Sequence, residues 1–192
     1  MPNPTPDRIR SFSTPNEFRT WLTANHLTES ELWIKIHKKA SGLKTITWEE
    51  SVIEALCWGW IDGIKKALDD TSYLQRFTPR RRKSVWSKRN REHVERLIVE
   101  KRMTEFGMAH VEAAREDGRW AAAYAPASEM TVPDDFITAV NADPSSKRFF
   151  STLNKANLYA IAYRLRTARK PETRKRRFEA LLKMIANGEK LH

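Results

Sequence analysis

The chain has 192 residues, 40% of them hydrophobic and 31% charged, with a formal net charge of +11 and one cysteine. That length suits one full domain, or one domain and a small second piece, with enough apolar residue to close a core. A single cysteine excludes an internal disulfide, and no stretch approaches the roughly 18 apolar residues of a membrane span. A surface this basic favours anionic partners over cationic ones.

Residues 1–11 are polar and Pro-rich with no apolar signal-peptide core, which reads as a flexible arm on a cytoplasmic protein. Thr14 before Pro15 marks a helix start, and Phe18, Trp21 and Leu22 supply its apolar stripe. Residues 31–37 alternate, with Leu32, Ile34 and Ile36 on one side and Trp33, Lys35 and His37 on the other, the pattern of a half-buried strand. Thr47 and Glu50 form a capping box that opens a helix to about Trp58. Gly59 and Gly63 end that helix, and Asp69 to Ser72 is a turn between 61–68 and 73–78, predicting an antiparallel hairpin closed by Pro79. From there the chain reads as helical: 88–101, 104–116, a short helix after Pro133, another opened by Asp143-Pro144, and two stripes (Leu158 to Leu165, Phe178 to Ile185) separated by Lys170-Pro171, which predict a helical hairpin. The expected fold is α+β: a small antiparallel sheet with packed helices over 12–120, joined by a connector containing Ala125-Pro126-Ala127-Ser128 to a helical region over 133–192.

Two stretches carry the candidate chemistry. Trp58-Gly59-Trp60-Ile61-Asp62-Gly63 places a carboxylate and two indoles beside glycines that allow close backbone approach, although a helix-to-strand turn explains the same residues. Between Pro79 and Arg91 there are seven basic residues and no acid. Guanidiniums bind phosphate or carboxylate in a bidentate fork, and Ser84 or Ser87 can cap the next helix, so the strand-to-helix junction reads as an anion site. The candidate ligand-binding residues are Trp60 and Trp86 as flat walls, Asp62 and Thr78 as orienting groups, Arg76, Arg80 and Arg81 as cation donors, and Ser84 and Asn90 beside them. The plainer reading of the run is a solvated basic loop.

The phrases Gly59-Trp60-Ile61-Asp62-Gly63, Gln75 to Arg81, Ser84 to Asn90, Asp117-Gly118-Arg119-Trp120 and Ala168 to Arg177 together resemble the YdeI/OmpD-associated family, also labelled bacteriocin-protection. The resemblance implies a bacterial protein with a link to envelope stress or to tolerance of cationic antimicrobial peptides. A chain at +11 repels such a peptide, so direct capture does not follow from it. The α-β-α-β-β order of residues 15–80 is also similar to the small α+β domains related to YjbR and frataxin, an analogy of fold alone.

Other classes compete for the same residues. Arg164 to Arg177 holds eight basic residues and one acid, and with the first run it could track a nucleic-acid backbone without sequence specificity. An enzyme on an anionic metabolite would use Asp62 as general base, but no serine sits in a nucleophile elbow. His26, His37, His93, His110 and His192 make no metal-ligand spacing, and Cys57 sits in an apolar helix. No cofactor or metal is expected, and the oligomeric state is left open.

Overall fold

A computed structural model describes residues 4–126, 129–168 and 170–191; Ala127 and Ser128 of the expected connector, Arg169 of the second basic run, and His192 lie outside the described residues. The chain divides into two compact units, Met1–Ala123 and Tyr124–His192.

The first unit is built on a sheet of four strands: β1 (Ile9–Arg10), β2 (Leu32–His37), β3 (Trp60–Ala67) and β4 (Ser72–Pro79). The order is β1-β2-β4-β3. The hairpin strands pair antiparallel, as the turn at Asp69 to Ser72 predicts, with Ile61 opposite Thr78, and β2 pairs antiparallel with β4, with Leu32 opposite Phe77. The sheet is mixed rather than purely antiparallel. Residues 1–11 carry no strand signal, yet Ile9 and Arg10 pair parallel to Trp33 and Ile34, and the backbone N–H of Ile46 donates to the Phe12 carbonyl at 2.9 Å.

Helices α1 (Pro15–Asn25) and α2 (Trp48–Cys57) start where their caps dictate. The Thr14 hydroxyl accepts from the backbone N–H of Glu17 at 3.3 Å. At α2 the capping box closes in both directions, Glu50 N–H to Thr47 Oγ1 at 3.2 Å and Thr47 N–H to Glu50 Oε2 at 2.8 Å. Such a cap contributes about 1 kcal/mol. Phe18 and Leu22 of α1 join Val52, Ala55 and Leu56 of α2 and Leu32, Ile34, Ile36 and Phe77 of the sheet in one buried core. Successive strand residues face opposite ways, so Arg76 and Thr78, which flank Phe77, lie on the face of the sheet turned away from that core.

Helices α3 (Lys88–Val99) and α4 (Glu105–Glu116) follow the hairpin. α3 ends in a left-handed residue, Lys101 (φ 58°), with Lys101 N–H donating to Ile98 O and Arg102 N–H to Leu97 O at 3.0 and 2.9 Å. This is a Schellman stop with lysine where glycine is usual. α4 packs on the carboxyl end of α2 through Gly107. A Cβ there would lie on the Cys57 carbonyl and 2.8 Å from that of Leu56. Gly59 (φ 72°) has a double requirement, since a Cβ would also meet His110 Cδ2 at 2.6 Å.

The second unit is helical: α5 (Asp134–Asn141), α6 (Pro144–Ser151), α7 (Lys155–Arg166) and α8 (Pro171–Ala186). Phe136, Val140, Leu153, Ile161, Leu165, Leu181 and Ile185 form its core, with Leu158, Phe178 and Leu182 of the two stripes partly buried against it. Asp143 and Asn154 cap α6 and α7 by accepting from the N–H groups three residues on.

Candidate functional site

An open recess of about 460 Å³ lies where β3 begins and β4 ends, and Ser30, Ile61, Arg76, Thr78, Arg81 and Ser84 line it with Pro79. Four of the nine residues proposed from sequence therefore come together: Arg76, Thr78, Arg81 and Ser84. Two arginines and three hydroxyl-bearing residues line one small space, a set of groups able to donate hydrogen bonds to a phosphate or carboxylate.

The loop that carries Arg81 and Ser84 is fixed from behind by two buried arginines. Arg80 is 4% exposed and Arg119 3%. The Arg80 backbone N–H donates to Gly59 O at 2.8 Å. Its Nη1 donates to Val85 O at 3.0 Å, and its guanidinium lies 3.7 Å over the Trp86 ring. Arg119 donates from Nη1 to Ser84 O at 3.0 Å and from Nε to the Asp117 carboxylate at 2.6 Å. The loop backbone is thereby clamped at Ser84 and Val85. Trp86 is buried and meets Trp120 edge-on at 4.9 Å.

The other sequence-proposed residues stand outside the recess lining. Trp60 is core, its indole N–H donating to His26 O at 3.2 Å. Asp62 accepts from the Trp48 indole N–H at 3.2 Å; burial pushes its pKa above the usual aspartate range while that hydrogen bond opposes the shift. Asn90 donates its backbone N–H to the capping hydroxyl of Ser87, which settles Ser87 rather than Ser84 as the α3 cap. Cys57 is buried, and burial pushes its thiol up to about 11, so it is protonated at neutral pH. His110, between Gly59 and this cluster, is pushed below the ordinary histidine range by burial first and by Arg80 and Arg119 second.

Sequence reasoning missed Ser30, Glu31 and Arg119. Glu31 Oε2 accepts from Arg76 Nε at 2.7 Å and Oε1 from Arg8 Nη1 at 2.8 Å, a bridge between residues 45 and 23 positions away in sequence. The one available signal for Arg119 was its place in the phrase Asp117 to Trp120. The basic run 164–177 is partly spent within its own unit: Arg166 donates to Thr131, Arg174 to Asp135 and Arg177 to the Arg164 carbonyl. Among the described residues no group of three His, Cys, Asp or Glu side chains could hold a metal ion, and no helix is long and apolar enough to cross a membrane.

Residues 10–110 match the family model of a domain of unknown function (DUF8412), and residues 129–188 match that of the bacteriocin-protection, YdeI or OmpD-associated proteins. All the residues lining the recess lie within the first match, and of the sequence phrases that resemble the YdeI/OmpD-associated family, Ala168 to Arg177 lies within the second. No curated protein and no solved structure matches the chain. The chain belongs to the DUF8412 family by its amino-terminal part and carries a YdeI/OmpD-associated, bacteriocin-protection domain in its carboxy-terminal part.

Proposed function

We propose that the amino-terminal unit binds a small anion bearing a phosphate or carboxylate group in the recess lined by Arg76, Thr78, Arg81, Ser84 and Ser30. The observation that carries this reading is Arg81. It lines the recess, is exposed, and has no ion-pair partner among the described residues, while its loop is held by buried Arg80 and Arg119. A loop whose backbone is already held loses little backbone freedom on binding, which favours affinity at a small site. Isothermal titration with inorganic phosphate tests it. Saturable one-to-one binding that Arg81→Ala weakens by about tenfold or more supports the site; unchanged binding in Arg81→Ala removes it.

Arg81, Arg82 and Lys83 form an exposed basic turn, which supports a second reading as a non-specific nucleic-acid contact. That reading requires affinity for single-stranded oligonucleotide to fall log-linearly with salt, whatever the sequence. A link to antimicrobial-peptide or envelope-stress tolerance rests on the name of the carboxy-terminal domain's family, and with a net charge of +11 it runs through an anion rather than through capture of a cationic peptide.

A further inference from the structure

Glu31 stands between two recesses of the first unit. On one side is the recess that Arg76 lines; on the other is a smaller one of about 280 Å³, whose walls include Arg8, Arg10, Trp21, Asn25 and Glu31 itself. The Glu31 side chain is 16% exposed and divides its carboxylate between them: Oε2 lies 2.7 Å from Arg76 Nε and 2.5 Å from Arg76 Nη2, and Oε1 lies 2.8 Å from Arg8 Nη1. The Nε/Nη2 edge of a guanidinium is one of the two edges that can grip an oxyanion in a bidentate fork. On Arg76 that edge is already filled by a carboxylate belonging to the chain.

We infer that Glu31 is an internal competitor for Arg76, and that the affinity of the recess for an anion is set by how Glu31 divides its charge between Arg76 and Arg8. The inference rests on the anion-site reading and adds to it the residue that tunes the site. A phosphate entering beside Arg76 and Arg81 meets the Glu31 carboxylate as a like charge, and it gains Arg76 to the extent that Arg8 draws Glu31 away. Arg8 lies outside the recess that it tunes. Any group that occupied Arg8 in the smaller recess would return Glu31 to Arg76 and weaken anion binding, and by linkage the anion would weaken that group equally.

The signs of the resulting effects separate this mechanism from general surface charge. Isothermal titration of the full chain with inorganic phosphate at low salt and neutral pH is made on the wild type, Glu31→Gln, Arg8→Ala, Arg10→Ala and the Glu31→Gln/Arg8→Ala double variant. One unit charge at roughly 5–6 Å in partly screened surroundings changes affinity by about three- to tenfold. Glu31→Gln therefore tightens phosphate by about that factor and Arg8→Ala loosens it by about that factor. Arg10→Ala removes the same charge from the same recess without a Glu31 contact and stays within about twofold of the wild type. In the Glu31→Gln background the Arg8→Ala effect disappears. Unchanged or weaker binding in Glu31→Gln, or equal losses in Arg8→Ala and Arg10→Ala, overturns the inference. The anion site has its own control: if Arg81→Ala abolishes binding while Glu31→Gln does nothing, the site stands and the competitor role falls; if the wild type binds no phosphate, both fall. The wild type alone gives a second readout that no variant's folding can obscure. Phosphate should produce a saturable shift of the Glu31 carboxyl carbon in NMR as Arg76 leaves it, and a stationary signal under saturating phosphate contradicts the exchange.

Discussion

The Arg80 guanidinium carbon lies over Trp86, 3.7 Å from the ring centroid, in a site where both residues are buried. Arg80, one of the three arginines offered as anion ligands by the sequence, is thereby held behind the recess, and its neighbour Arg81 is the one that lines it. Arg80→Ala should lower stability by about 2–4 kcal/mol, through lost stacking and unpaired carbonyls. Arg80→Lys should recover little, because an ammonium cannot lie flat on an indole while donating sideways. Urea unfolding followed by tryptophan fluorescence checks both.

Arg81 should behave in the opposite way. Arg81→Ala is expected to leave unfolding within about 0.5 kcal/mol of the wild type, since the side chain is exposed and has no ion-pair partner among the described residues, while weakening phosphate binding by about tenfold or more. A large loss of stability in this variant would place Arg81 in the scaffold instead.

Gly107 is where α4 reaches the carboxyl end of α2, and the Cys57 carbonyl also accepts from the Thr104 hydroxyl at 2.6 Å. Gly107→Ala cannot be relieved by moving a flexible side chain alone, because two of the atoms it meets are the backbone carbonyl oxygens of Leu56 and Cys57. A cost of about 2–3 kcal/mol is expected from overpacking, outweighing the helix-propensity gain of about 1 kcal/mol. Lys101→Gly at the end of α3 should do the reverse and stabilise by about 0.5–1 kcal/mol, because φ 58° is the left-handed region that glycine adopts freely. Thermal melts of the two variants should move in opposite directions.

Acid should weaken the fold partly through Glu31. Hydrogen bonds from Arg8 and Arg76 hold its carboxyl below the ordinary 4.5, against the opposing effect of burial. A depressed folded pKa means that the stabilisation is fully present above the ordinary value and is lost as pH falls through the lower, folded one. Glu31→Gln should therefore be less stable than the wild type at pH 7, with the difference shrinking below pH 4.5. Asp62 has the opposite sign. Burial raises its pKa, so the folded state holds its proton more tightly than the unfolded chain, and stability contributed by the protonated form is lost as pH rises. Asp62→Asn, which keeps an acceptor for Trp48, should be as stable as the wild type or up to about 1 kcal/mol more stable at pH 7. Denaturant midpoints measured across pH 3–8 separate the two cases.

What was legible in the sequence was local. The Thr14 and Thr47 caps, the alternation at 32–36 and the stripes of α7 and α8 each involve residues within about two turns or one strand of each other. β1 was not legible, because two paired residues have no periodicity to read. In the site, Arg76, Thr78, Arg81 and Ser84 were found because one short run carries them. Glu31 and Ser30 reach the same place through pairing of β2 with β4, which fixes partners far apart in sequence. Burial of Arg119 was invisible for a related reason, since it reaches the Ser84 carbonyl 35 positions away, while Arg80 is buried on Trp86 and the Val85 carbonyl by a fold of its own loop that the basic run does not announce.

The most direct test of the anion recess is a phosphate titration of the isotope-labelled full chain by two-dimensional NMR at low salt. The account predicts saturable shifts concentrated at Ser30, Arg76, Thr78, Arg81 and Ser84, with the basic residues of 164–177 unmoved. Non-saturating shifts spread over both basic runs, or none at the recess, would contradict it.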